Sequence, residues 1–197
     1  MTQLVFLLEE ESMKALLDVL LPQILPSETD FLCVPHQGKQ DLEKSIPRKL
    51  RAWQTPALFV IIRDKDKEDC IILKKRLVSL CQQAGRADSL VRIACHELES
   101  WFLGDLAAVE KAFDIKKLAG QQQNRKYKDP DKLTNASEEL AKLVKGYRKV
   151  SGAKKIASHM NIHQNHSHSF NCFIKGIDHL IRQEINTEKM IEQLTLC

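Results

Sequence analysis

Four short apolar runs, QLVFLL (3–8), DFLCV (30–34), ALFVII (57–62) and SLVRIAC (89–95), punctuate the first hundred residues, and a stretch with helical spacing follows each one. A strand exposed on one face alternates apolar and polar residues, whereas a run apolar at consecutive positions suits a strand covered on both faces. Parallel sheets with helices on each side provide that cover. The intervening segments fit the helical role. SMKALLDVLLPQIL (12–25) places leucines at 16, 17, 20 and 21, with Ser12 as N-cap. Residues 41–53 are helical, with Pro47 opening a second helical piece. CIILKKRLVSLCQQAG (70–85) is an amphipathic helix ended by Gly85, and HELESWFLGDLAAVEKAF (96–113) continues as helix, Trp101 and Phe102 packing it on the sheet. The alternation predicts a doubly wound α/β domain over residues 1–113, with about four parallel strands. Residues 114–132 are polar and irregular and predict a linker. Helices are expected at about 134–149, 151–160 and 168–185, so that 114–197 forms a basic linker and a helical extension packed on the sheet.

In open parallel sheets the active groups gather beyond the carboxyl ends of the strands. Here those ends are acidic. The first strand runs into LLEEES, the third into IIRDKD, and ACHELES follows the fourth. Glu9, Glu10, Glu11, Asp64, Asp66, Glu97 and Glu99 therefore fall on one rim. Clustered carboxylates repel and cost stability unless a cation offsets them. Mg²⁺ or Mn²⁺ takes oxygen ligands, and two such ions clamp both oxygens of an in-line phosphoryl displacement. In an extended chain, side chains two apart point the same way, which would aim Asp64 and Asp66 together. A D-x-D pair alone is also a common surface turn; its place after a buried strand, with acids after two other strands, favours the metal reading.

Charge is uneven. Residues 1–100 are balanced, but residues 111–155 carry 13 basic side chains against 5 acidic ones, which fits a polyanionic partner or a solvated lysine-rich face. None of the six cysteines forms a C-x-x-C pair, so they are expected as reduced thiols. The N-terminus has no basic n-region and no run approaches the roughly 18 apolar residues of a membrane helix, so a cytoplasmic protein without a membrane partner is expected.

Glutamate after the first strand with D-x-D after the third resembles TOPRIM, the catalytic domain of type IA and type II topoisomerases, bacterial primases and overcoming-lysogenization-defect nucleases. More closely, LLEEESMKALLDVLLP, HQGKQDL, FVIIRDKDKEDC, RIACHELESWFLGD, YRKVSGAKKIA and SHSF together resemble an uncharacterised bacterial TOPRIM-like family often encoded beside ABC- or AAA-type ATPases in defence-related loci. The resemblance implies that Glu9 is a metal ligand or general base, that Asp64 and Asp66 bind metal, and that Glu97 and Glu99 serve a second metal. It further implies action on DNA or tRNA, an ATPase partner and a possible homodimer. TOPRIM usually has glycine after its glutamate; here Glu10 stands there. That departure admits a non-catalytic regulatory subunit of an ATPase complex as the alternative. A haloacid-dehalogenase-type phosphatase also starts from D-x-D, but after its first strand.

Other residues complete the expectations. Lys39, after His36 and Gly38 in PHQGKQDL, is a candidate phosphate contact without Walker A spacing. Lys149 and Lys154, with Lys155, flank SGA at the start of a helix and are candidate substrate contacts. Arg92, inside a strand, suits an internal ion pair. His159, His163, His166 and His168 lie in a polar stretch that reads as a substrate-contacting or inert loop rather than a zinc site.

Overall fold

The apolar runs form β1 (Gln3–Leu8), β2 (Phe31–Pro35), β3 (Ala57–Asp64) and β4 (Leu90–Ala94). They make one four-stranded sheet in the order β2-β1-β3-β4, and every pair is parallel. The computed structural model describes residues 2–195, with side chains as far as residue 186. Helices α1 (Glu11–Ile24), α2 (Lys39–Ala52) and α3 (Cys70–Gln83) connect the strands. After β2 the chain turns back past β1 to add β3, so the winding reverses between β1 and β3. That boundary is where open α/β sheets carry their crevice.

Side-chain parity assigns the two faces. Leu4, Phe6, Leu8, Val60, Ile62 and Ala94 pack with Leu16, Leu17, Leu20 and Leu21 of α1. Val5, Leu7, Phe59, Ile61, Val91 and Ile93 pack with α2 and α3 through Leu42, Ile46, Leu73 and Leu77. In β1, β3 and β4 even-numbered positions thus face α1 and odd-numbered ones face α2 and α3; β2 has the opposite parity, with Phe31 and Cys33 on the α1 side and Val34 on the other. The α1 face is thickened by α4 (Glu99–Leu103), α5 (Leu106–Phe113), α6 (Ala136–Leu143), α7 (Lys149–Ala157) and α8 (His168–Thr195). Leu140, Ile156, Phe170 and Phe173 share the core of α1. Trp101 is buried there, stacked on Phe173 at 5.2 Å between ring centroids, and its indole donates to Ser169 Oγ. Among the described residues no helix is long and apolar enough to cross a membrane, and the five described cysteines are free thiols.

Several local features differ from the sequence expectations. The N-cap of α1 is Glu10 rather than Ser12, so the helix starts two residues nearer the rim. Pro47 lies inside one continuous α2 instead of opening a new piece. The expected 96–113 helix breaks at Gly104, where a Cβ would stand 2.1 Å from Asn165 Oδ1 and 2.7 Å from the Ser167 nitrogen. The missing side chain lets the 161–167 loop dock, and Asp105 restarts the helix by accepting from the Ala108 amide. Residues 114–132 contain 3-10 turns at Ala119–Gln121 and Pro130–Lys132. Gln122 anchors them by donating to the Leu103 and Tyr127 carbonyls.

Candidate active site

Register places the acids. Leu8 pairs with Ile62, and Asp64, still inside the sheet, pairs with Ala94. Continuing the parity beyond Leu8 sets Glu9 beside Arg63 toward α2 and α3, and Glu10 beside Asp64 toward α1. The side chains follow that division.

On the α1 side, Asp64 is 6% exposed and Glu99, on α4, is 0% exposed. Asp64 Oδ1 and both carboxylate oxygens of Glu99 are buried without hydrogen-bond partners. Burial pushes the Asp64 carboxyl well above the ordinary range, and the charges of Glu9, Glu99 and Glu10 push it the same way. Burial also raises Glu99, opposed by Lys149. Lys149 opens α7 and reaches Glu10 Oε1 at 3.5 Å. Burial depresses its ammonium, but Glu99, Glu10 and Asp64 outweigh that and raise it. Tyr147 completes this side: its buried hydroxyl makes no hydrogen bond of ordinary geometry, and burial, then Glu99 and Glu10, raise the phenol. Its ring lies on Gly152 of α7, where a Cβ would stand 2.3 Å from Cε2.

On the other side, Arg63 is 1% exposed and forms a network. Its guanidinium lies 2.9 Å from Glu43, bonds Glu68, and approaches Glu9 at 3.7 Å and Asp66 at 4.0 Å. Arg76 closes the network by bridging Glu43 and Glu68. Glu9 Oε2 accepts from the Asp64 amide at 3.0 Å, so Glu9 links the two sides. Burial raises its carboxyl, partly offset by that amide, and Asp66 raises it further.

The two aspartates of D-x-D do not project together. The strand ends at Asp64, and Asp66 takes a left-handed conformation with φ 52°. Its carboxylate meets Lys39, at the start of α2, at 2.8 Å. His96 is also left-handed, with φ 61°. The Asp66 amide donates to the His96 carbonyl at 2.7 Å and His96 Nδ1 donates to the Asp66 carbonyl at 2.9 Å, locking the loops after β3 and β4 together. Strained backbone of this kind persists where the surroundings over-determine it.

Of the residues expected from sequence, Glu9, Asp64, Glu99 and Lys149 are brought together, and Asp66 and Lys39 form a pair at the adjoining edge. Glu97 instead accepts from the Ser137 amide in the first turn of α6 at 2.8 Å. Lys154 is exposed in the last turn of α7. His36 is buried, its Nδ1 donating to the Leu8 carbonyl at 2.8 Å and its Nε2 meeting Ser45, so it braces the end of β1. Arg92 donates to the Cys172 carbonyl at 3.0 Å and lies over Gly176, rather than forming an ion pair. The four histidines do not converge. Sequence reasoning left out Glu10 as a partner of Asp64, along with Arg63, Tyr147 and His96. The strand parity carried the signal for Glu10 and Arg63; nothing local marked Tyr147 or His96.

A cavity of about 450 Å³ adjoins this region at Glu10 and Lys149 and extends along the ends of β1 and β2, past Ser12, His36 and Gly38. Among the described residues no three His, Cys, Asp or Glu side chains already stand close enough to chelate a metal. The donor set nevertheless suits a hard divalent cation. Its donors are all carboxylate oxygens, three of them are buried without a hydrogen bond, and the charge of Glu10 raises both Asp64 and Glu99.

A family model described as "Domain of unknown function (DUF4276)" matches residues 8–178. Two solved structures share the fold. One is the C-terminal region of the Burkholderia pseudomallei OLD protein, at TM-score 0.54 and 15% identity, covering 93% of this chain and 98% of that one. The other is the C-terminal region of the Xanthomonas campestris pv. campestris OLD protein, at TM-score 0.51 and 14% identity, covering 93% and 97%. No curated protein matches the chain.

Proposed function

The chain belongs to the DUF4276 family, a domain of unknown function, and we propose that it is a divalent-metal-dependent nuclease of TOPRIM type, cleaving phosphodiester bonds in DNA or RNA. One observation carries the reading: Asp64 and Glu99 lie beside Glu10 at the carboxyl ends of parallel strands, and one oxygen of Asp64 and both of Glu99 are buried without a hydrogen bond of ordinary geometry. The fold shared with the C-terminal regions of OLD proteins supports it.

In this reading Asp64, Glu99 and Glu10 would hold Mg²⁺ or Mn²⁺, with Glu9 and Asp66 beside them. When bound, the cation offsets the carboxylate repulsion and stabilises charge on the phosphoryl oxygens. Glu9 has a raised carboxyl hydrogen-bonded to the Asp64 amide, which places it to take a proton from the attacking water. Lys149 and Lys39 now neutralise Glu10 and Asp66. They are placed to exchange those partners for a substrate phosphate. Arg63 keeps its hold on Glu9, Glu43 and Glu68 and orients the rim from beneath. An ABC- or AAA-type ATPase partner belongs to the same reading.

The second reading is a non-catalytic binding subunit. Lys149 and Lys39, which already offset the acids, favour it. Supercoiled plasmid and bulk tRNA incubated with Mn²⁺, Mg²⁺ or EDTA separate the two. The nuclease reading predicts metal-dependent cutting that Asp64→Asn loses. Cutting that survives EDTA, or equal cutting by Asp64→Asn, would contradict it, and absence of cutting on both substrates would favour the binding subunit.

A further inference from the structure

On the β4 side of the rim lies a second, larger concavity, of about 1140 Å³. Arg125, Lys126, Lys128, Lys132, His166 and His168 dominate its lining. Asp129 is the one acid there, and Lys132 neutralises it at 2.8 Å. Lys126 is engaged with Glu139. Arg125 and Lys128 are exposed and have no ion-pair partner among the described residues.

The walls are built, not draped. Asp131 accepts from Ser167 Oγ and from the Ser169 amide, both at 2.7 Å, joining the 123–133 wall to the 166–168 wall. Ser169 Oγ in turn accepts from the amide of Cys95, the first residue after β4. Just beyond Leu133, the Ser137 amide donates to Glu97. The cavity is therefore fastened at both ends to the loop that carries Glu97 and Glu99. No Phe, Tyr or Trp lines it, so its stacking surface is limited to the His166 and His168 imidazoles and the Arg125 guanidinium, and cationic groups outnumber flat ones. A lining dominated by cations contacts phosphates, and phosphate contacts carry no sequence information.

We propose that this cavity is the track that seats the phosphodiester backbone of the nucleic acid, sequence-independently, and delivers it to the acidic rim across the end of β4. The proposal rests on the nuclease reading and assigns that site its substrate path.

The test is fluorescence anisotropy of labelled DNA and RNA oligonucleotides, in EDTA to prevent cleavage, over a salt series. The full chain is compared with Arg125→Ala/Lys128→Ala and with a same-charge control on α3, Lys74→Ala/Lys75→Ala. Each lost phosphate contact removes about 0.7–0.9 from the slope of log K against log salt. The cavity variant should bind about tenfold more weakly, with a slope shallower by about 1–2, while the control matches the wild type and the Mn²⁺-induced melting shift stays. Wild-type affinity and slope in the cavity variant, or an equal loss in the control, would overturn the track. If the wild-type chain cuts nucleic acid while the cavity variant binds normally, the track alone fails. If the wild-type chain neither binds nor cuts nucleic acid, the nuclease reading fails and the track with it.

Discussion

Asp64 is the last residue of a strand and is covered on every side, yet one of its oxygens has no hydrogen bond. A buried carboxylate without a compensating partner costs stability. The sign of its pH dependence follows. Burial, with help from neighbouring acids, raises the Asp64 carboxyl in the folded chain, and burial raises Glu9 and Glu99 too. A group with a raised folded-state pKa binds its proton more tightly when folded. Its contribution is complete below the unfolded pKa and is lost as pH rises through the folded one. Metal-free protein should therefore lose stability as pH climbs from about 4 toward neutrality. Asp64→Asn should melt higher than wild type at neutral pH, by about 2–4 °C for each kcal/mol gained, with a flatter pH profile. Differential scanning calorimetry in EDTA checks this, and a lower melting temperature for Asp64→Asn would refute it. Arg63 is equally buried, and its Nε and Nη1 likewise lack a well-aligned hydrogen bond, but four carboxylates lie within 4.0 Å, so its charge is compensated. The sequence marked Asp64 through its position after an apolar run. It left Arg63 unmarked because an arginine inside RDKDKE looks like one more surface charge.

At the scale of elements, α7 brings the basic partner to the acids. It packs against α1 through Gly152, Ala153, Ile156 and Ala157, all buried. Gly152 accepts the Tyr147 ring directly on its backbone, and that contact sets where the chain enters the helix at Lys149. Gly152→Ala gains about 1 kcal/mol of helix propensity but must displace a buried ring. Overpacking of this kind costs about 1–3 kcal/mol. The net expectation is a lower urea midpoint together with a change in Tyr147 fluorescence or near-ultraviolet dichroism. A variant more stable than wild type, with unchanged tyrosine signals, would show that the ring does not depend on this contact. The helical spacing of α1 and α3 was legible because each buries one apolar stripe. The break between α4 and α5 was not, because its cause is a loop sixty residues away that fills the space above Gly104. The positions of Glu97 and Glu99 follow from that break. Glu99 begins the short α4 and turns inward, while Glu97, two residues earlier, reaches the start of α6.

At the scale of the molecule, two cores sandwich one sheet, and the chain's acids and bases are sorted around the sheet's carboxyl edge. Consecutive apolar residues in the four runs announced the parallel sheet, and the strand order β2-β1-β3-β4 puts the winding reversal between Glu9 and Asp64. What could not be read in one dimension was how the acids divide. Glu10, Asp64 and Glu99 face α1 with Lys149, while Glu9 and Asp66 stand toward Arg63 and Lys39. The left-handed turn at Asp66 broke the expected alignment of the D-x-D pair. The central claim is that the first of these groups is a divalent-cation site, and direct Mn²⁺ titration by calorimetry or electron paramagnetic resonance tests it. The account predicts saturable Mn²⁺ binding to the wild-type chain that competes with Mg²⁺ and is lost in Asp64→Asn and in Glu99→Gln, both still folded. No binding at millimolar Mn²⁺, or undiminished binding in both variants, would contradict it.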